Sequence, residues 1–187
     1  MENEYKSLED LVRIQYANIF WTHKIQEKQA EEYEFRHKLF SWINIIAASL
    51  TSAGIISIVF TDQFWLKLVS AIVSFVTTTI SAIITTFDYK SLAKTNKSYA
   101  SKLLCCRNDL MLLLVKIKIK EQSSQKLIEE FEIIQKNIHD IYQDAPNTTN
   151  RAVKKAGEAI KENKDGTYSD EEIDELLPET LRRKNVE

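Results

Sequence analysis

The chain has 187 residues, 28% of them charged, and a formal net charge of −2. This near-neutral balance lacks the basic excess of a nucleic-acid binder, so nucleic acid is not an expected partner. The averages hide a segregation: residues 39–61 and 68–87 carry no charged side chain at all, and a soluble core helix seldom runs so long without one.

Punctuation is sparse. The only prolines are Pro146 and Pro178, and the only glycines are Gly54, Gly157 and Gly166. With no proline and one glycine before residue 146, the spacing predicts long uninterrupted helices. No alternating run bounded by turn residues suggests a strand. The expected fold is therefore all-α: a two-span transmembrane hairpin with long cytoplasmic helices forming a bundle.

Residues 1–38 are read as an N-terminal cytoplasmic helix. The opening "MENEYKSLED" is acidic and polar, unlike a signal peptide. Leu8, Leu11, Val12, Tyr16, Ile19 and Phe20 recur at three- and four-residue steps, one helical face. "KIQEKQAEEYEFRHK" (24–38) then turns highly charged and reads as a solvated helix leading into the bilayer, with Glu31, Glu32 and Glu34 facing water.

Residues 39–87 form the hairpin, with spans at about 39–61 and 68–87. Each is close to the ~20 residues that cross a ~30 Å hydrocarbon core. The connection "DQFWLK" is short, so both ends of the hairpin lie on one side. Phe64, Trp65 and Trp42 suit the interfacial aromatic belt. The connection carries only Lys67, whereas the outer flanks carry Arg36, Lys38, Lys90, Lys94, Lys97 and Lys102. The positive-inside rule thus predicts a multi-pass protein with both termini cytoplasmic.

Within the first span, Asn44 is costly in hydrocarbon and is expected to face protein or water. Ala47, Thr51, Gly54 and Ile58 make a narrow strip suited to close helix contact. In the second span, Ser70, Ser74, Thr77, Ser81, Thr85 and Asp88 step by fours and threes into one stripe. Three readings stay open. Each hydroxyl can bond its own helix and mean nothing, the small residues can bring helices together, or the stripe can line a water-filled path. Two spans cannot enclose a channel, so a pore would need several copies.

Residues 88–143 read as a long cytoplasmic helical region. Leu92, Tyr99, Leu103, Leu110, Leu113, Leu114 and Ile117 mark an apolar seam, and "EQSSQ" (121–125) is a plausible break. Beyond it Leu127, Phe131, Ile134, Ile138 and Ile141 keep a heptad register for about two heptads. That seam requires a partner, either the N-terminal helix of the same chain or another protomer. Residues 144–187 make a C-terminal loop and short helices. Thr148, Thr149 or Asn150 can cap the first. Ser169 with Glu172 forms a capping box for the second.

No chemistry-bearing constellation emerges. Cys105 and Cys106 are adjacent, which is no metal spacing, and read as free thiols. His23, His37 and His139 are isolated. A calcium-like loop counted around Gly166 begins on Lys161, a cation where an acidic ligand is needed. There is no phosphate loop and no nucleophile elbow. An enzyme is not expected, and no catalytic, cofactor-binding or metal residue is assigned.

The layout as a whole resembles a known family. The charged helix "KIQEKQAEEYEFRHK" enters a two-span hairpin, followed by "FDYKSLAKTNKSYASKL", the "DAPNTT" loop and the tail "EEIDELLPETLRRK". This is similar to the SLATT family, two-transmembrane effector domains of bacterial second-messenger and related conflict systems. The resemblance implies a membrane effector of antiviral defence that oligomerises in the bacterial inner membrane to form a pore or disrupt the bilayer. It also implies a partner sensor or second-messenger-producing protein as trigger, and cell death or growth arrest as outcome. The alternative is a membrane-anchored scaffold or adaptor that binds a partner through its cytoplasmic helices.

Overall fold

The computed structural model describes residues 2–60, 63–178 and 182, with the backbone alone at 57–60. Thr61 and Asp62 at the predicted end of the first span, the side chain of Ile58 and most of the tail after 178 lie outside the described residues. The described residues form six helices and no strand: α1 (Glu2–Phe60), α2 (Phe64–Phe87), α3 (Tyr89–Ile119), α4 (Ser124–Gln143), α5 (Asn150–Lys161) and α6 (Asp170–Leu176). The all-α expectation therefore holds.

α1 is the organising element. With no proline and only Gly54 in its 59 residues, nothing interrupts it, and it extends about 90 Å at 1.5 Å per residue. α2 returns antiparallel along its C-terminal half, and α3 continues along its N-terminal half. α2 begins at Phe64, so the predicted connection is partly helical, because Phe64–Lys67 contains no helix breaker. The two segments meet at Asp88, whose φ of 36° is left-handed. A short polar side chain tolerates that conformation, and the Asp88 carboxylate offsets the break by accepting from the Ser91 N–H at 3.1 Å. The expected boundary between residues 87 and 88 coincides with this break, while the capping role of Asp88 is visible only in the structure.

α4 turns back after Lys120, also left-handed, and packs on α3 and α1. The break falls within and just before the "EQSSQ" stretch. Between these three helices lies one core: Leu8, Val12 and Ile19 of α1, Leu103, Cys106, Leu110, Leu113 and Ile117 of α3, and Leu127, Ile134 and Ile138 of α4. Leu11 departs from the expected buried face: it is 57% exposed, on the rim of an open groove with Ile128 and Phe131 of α4.

α5 lies across the middle of α1, and its buried face is Ala152, Ala156 and Ala159. These small residues allow close approach, and Gly157 sets its Cα beside the Trp21 ring. Thr149 caps α5, and the predicted capping box of Ser169 and Glu172 opens α6. Gly166 sits at φ 83°, where a Cβ would come within 2.9 Å of the Phe20 ring, so the turn admits no larger residue without strain.

Candidate functional site: the hairpin and its collar

The hairpin hides almost nothing of itself. Two helices are long and apolar enough to cross a membrane, and only 6% of the most apolar stretch of the first, and none of the second, is buried. A core helix of a soluble protein would be mostly buried; these are covered by a bilayer. Trp42, Phe64 and Trp65 are 65%, 71% and 73% exposed at the two ends, as belt residues are.

The spans touch along a narrow line. The Ser81 hydroxyl donates to Asn44 Oδ1 at 2.9 Å, satisfying one polar atom of Asn44 against the other span. Gly54 lies against Ser70, so closely that a Cβ on Gly54 would collide with Ser70 Oγ. Thr77, also half-buried, bonds back to the Val73 carbonyl at 2.8 Å.

The six-residue stripe thus divides. Ser70, Thr77 and Ser81 face the first span, while Ser74 and Thr85 stay exposed. Asp88 leaves the stripe to cap α3. The exposed pair belongs to a second line, Ala71, Ser74, Thr78, Ala82 and Thr85, all outward on the hairpin. Thr78 and Thr85 bond their own helix at 3.0 and 2.9 Å, so this line is small and smooth rather than bare and polar.

The heptad seam is taken up within the chain. Leu127, Ile134 and Ile138 are buried, and Phe131 and Ile141 pack on the same core as Leu8 and Val12. The seam is covered chiefly by α3, through Leu110, Leu113 and Ile117, and α1, one of the two partners left open, completes the cover with Leu8 and Val12.

Where the extramembrane bundle meets the hairpin, the structure corrects the solvated reading of residues 24–38. His23, Gln26, Gln29 and Glu32 are 5%, 3%, 0% and 3% exposed. They form a polar seam that continues the apolar face of Val12 and Ile19 along α1. His23 Nδ1 lies 2.8 Å from the Ala100 carbonyl of α3. Gln26 donates to the Pro146 carbonyl at 3.2 Å. Gln29 Oε1 accepts from both the Thr149 N–H and its hydroxyl, at 2.8 and 2.9 Å. The "DAPNTT" loop is therefore held by two glutamines of α1. The three-residue spacing of His23, Gln26, Gln29 and Glu32 was the available signal, missed because only apolar residues were followed. Gln26 Oε1, Gln29 Nε2 and Asn96 Oδ1 are buried without a partner among the described residues, so the seam is cohesive but imperfectly satisfied.

Glu32 accepts from Arg36 at 2.6 Å, and Arg151 Nε of α5 lies 4.0 Å from its other oxygen. That hydrogen bond to Glu32, opposed by burial and helped by Tyr89, holds the Arg36 guanidinium above its ordinary pKa. Tyr89, buried at the start of α3, stacks with Tyr33, Phe40 and Phe87 at 5.7–6.1 Å between centroids, with Arg36 over its ring. These groups make a rigid collar at the end of both spans. Lys161, first in the calcium-like count, lies over the Trp21 ring instead. Among the described residues no three His, Cys, Asp or Glu side chains gather to hold a metal. Cys105 is exposed and Cys106 buried, both free.

A pair of antiparallel lipid-exposed spans, continuous with a helical bundle on one side, defines the class as a two-span helical membrane protein. Residues 8–172 match SMODS and SLOG-associating 2TM effector domain family 4 (SLATT_4). The chain belongs to this family, whose members are two-span effector domains associated with defence systems. No curated protein and no solved structure matches the chain.

Proposed function

We propose that the chain is a membrane effector of bacterial antiviral defence that acts by physical disruption rather than by catalysis. On being triggered, copies assemble in the inner membrane and open a path for ions or disturb the bilayer, causing death or growth arrest. The observation that carries this reading is the outward line Ala71, Ser74, Thr78, Ala82 and Thr85. The hairpin leaves it uncovered, and small residues at such spacing are how membrane helices pack on one another. Both termini lie in the cytoplasm, because the lysines and arginines collect on the bundle side. The bundle then receives the trigger from a partner protein. Met111, Leu112, Val115 and Ile119, 50–64% exposed along one face of α3, suit such a contact.

That same α3 face also favours the second reading, a membrane-anchored scaffold whose hairpin is only an anchor. Replacing residues 39–87 by an unrelated two-span hairpin separates the two. The effector reading expects loss of toxicity on induction with partner binding intact. Retained toxicity in the swapped protein would establish the bundle as the active part and overturn the proposal.

A further inference from the structure

Between α1 and α3, just beyond the collar, lies a groove of about 290 Å³ that neither the hairpin packing nor the polar seam uses. Its walls carry Lys38 and His37 from α1 and Lys90, Lys94 and Lys97 from α3, over a floor at Ala93, which is 3% exposed. Glu34 is the one carboxylate on its rim. Four lysines against one glutamate leave an excess of positive charge at neutral pH. Among the described residues no ion pair or hydrogen bond engages the side-chain ammonium of Lys38, Lys90, Lys94 or Lys97. The contrast with the next turns of α1 is sharp: there Lys24 is paired with Glu27 at 2.7 Å and Lys28 with Glu31 at 2.9 Å.

Depth identifies the ligand. The charge-free runs end at Leu39 and Phe87. Lys38 and Lys90 therefore stand within one turn of the hydrocarbon, and Lys94 about 6 Å further out. The headgroup layer occupies roughly the 5–7 Å outside the hydrocarbon on each side, and lysine stems reach several ångströms further by snorkelling. We propose that this groove is a binding site for the phosphate of an anionic phospholipid headgroup, seated between Lys38 of α1 and Lys90 and Lys94 of α3, with Lys97 at its outer rim. Basic pockets between membrane helices recognise such headgroups by the same chemistry. The site bridges the two helices that leave the membrane, so a bound headgroup fixes the bundle to the hairpin. The inference rests on the hairpin lying in a bilayer, not on pore formation or on the direction of insertion.

The test uses the full chain, purified in neutral detergent and titrated with phosphatidylglycerol carrying a fluorescent acyl chain. Phosphatidylcholine with the same label is the zwitterionic comparison. The informative variant is K94Q/T95K, which moves one lysine to the adjacent exposed position outside the groove while keeping net charge. The site predicts about five-fold weaker phosphatidylglycerol binding, the weight of one lysine at a membrane surface, and unchanged phosphatidylcholine binding. Lys90→Gln is expected to weaken binding similarly, while Lys136→Gln, remote on α4, leaves it unchanged. Equal affinity of wild type and K94Q/T95K would overturn the proposal in favour of diffuse attraction by net charge. Displacement of the lipid by low-millimolar inorganic phosphate would overturn it in favour of a free-anion site. Loss of leakage activity with lipid binding intact would count against the effector reading alone.

Discussion

Ser81→Ala removes the donor to Asn44 between the two spans, and the consequences can be worked from one 2.9 Å contact. Asn44 Oδ1 then faces an apolar partner in a region without water. Side-chain hydrogen bonds between membrane helices contribute about 0.6 kcal/mol on average and up to about 1.7. The Asn44–Ser81 bond lies on the line where the spans touch, so about 1 kcal/mol is expected. Asn44→Leu alone should cost a similar amount or less, because the Ser81 hydroxyl can turn to its own helix backbone, as Thr77 and Thr85 do. The double variant Asn44→Leu with Ser81→Ala leaves neither group unpaired and should recover most of the loss. The assay is reversible unfolding of the hairpin in mixed micelles, followed by the fluorescence of Trp42 and Trp65. A coupling energy near 1 kcal/mol supports a stripe whose inner half is glue. A coupling below about 0.3 kcal/mol, the limit of additivity for independent sites, would refute the pairing and return Ser81 to the candidates for lining a path.

Further outcomes follow from the bundle. Gln29→Leu strips the acceptor from the Thr149 N–H and hydroxyl, and is expected to cost about 1–3 kcal/mol of docking. Hydrogen exchange at Thr149 and Ala152 should speed up while α3 is unchanged; unchanged exchange there would deny the loop its clamp. Leu110→Ala, at 0% exposure, should lose about 2–5 kcal/mol in thermal unfolding, and Ile119→Ala, 64% exposed, less than about 0.5. Burial pulls the Lys24 pKa down, but Glu27 and Asp165 outweigh it and hold the group above 10.5. A raised lysine contributes its stability in full below the unfolded pKa and loses it as pH rises through the folded one. The turn at Gly166 should therefore loosen only as pH rises beyond the ordinary lysine range, and Lys24→Met should abolish that alkaline transition while leaving the fold at pH 7. Burial, then Asp109 and Cys105, push the Cys106 thiol above its ordinary range. Maleimide at pH 7 should label Cys105 at least about ten-fold faster, and equal rates would contradict the packing of α3.

Much of the architecture was legible because its signals are one-dimensional. The charge-free runs mark the spans, the scarcity of glycine and proline marks the long helices, and Ser169 with Glu172 marks the start of α6. What the sequence hid depends on which helix lies opposite. Glu32 looks like any solvated carboxylate until Arg36 and Arg151 close over it. Leu127 and Ile138 look the same whether α3 and α1 or a second chain covers them. Ser70, Ser74 and Ser81 share one stripe, and only the residues facing them on the first span, Gly54 at Ser70 and Asn44 at Ser81, tell which turn inward. Asp88 falls in step with the hydroxyl stripe, and its left-handed conformation leaves no periodic trace in the sequence.

The most direct measurement is the membrane potential of cells induced for wild type and for Ser74→Leu with Thr78→Leu. These two exposed positions lie on the outward line and outside the contact between the spans. The account predicts depolarisation by wild type and its loss in the double variant, with equal amounts of folded protein in the membrane. Depolarisation of equal size in the variant, or none from wild type, would contradict it.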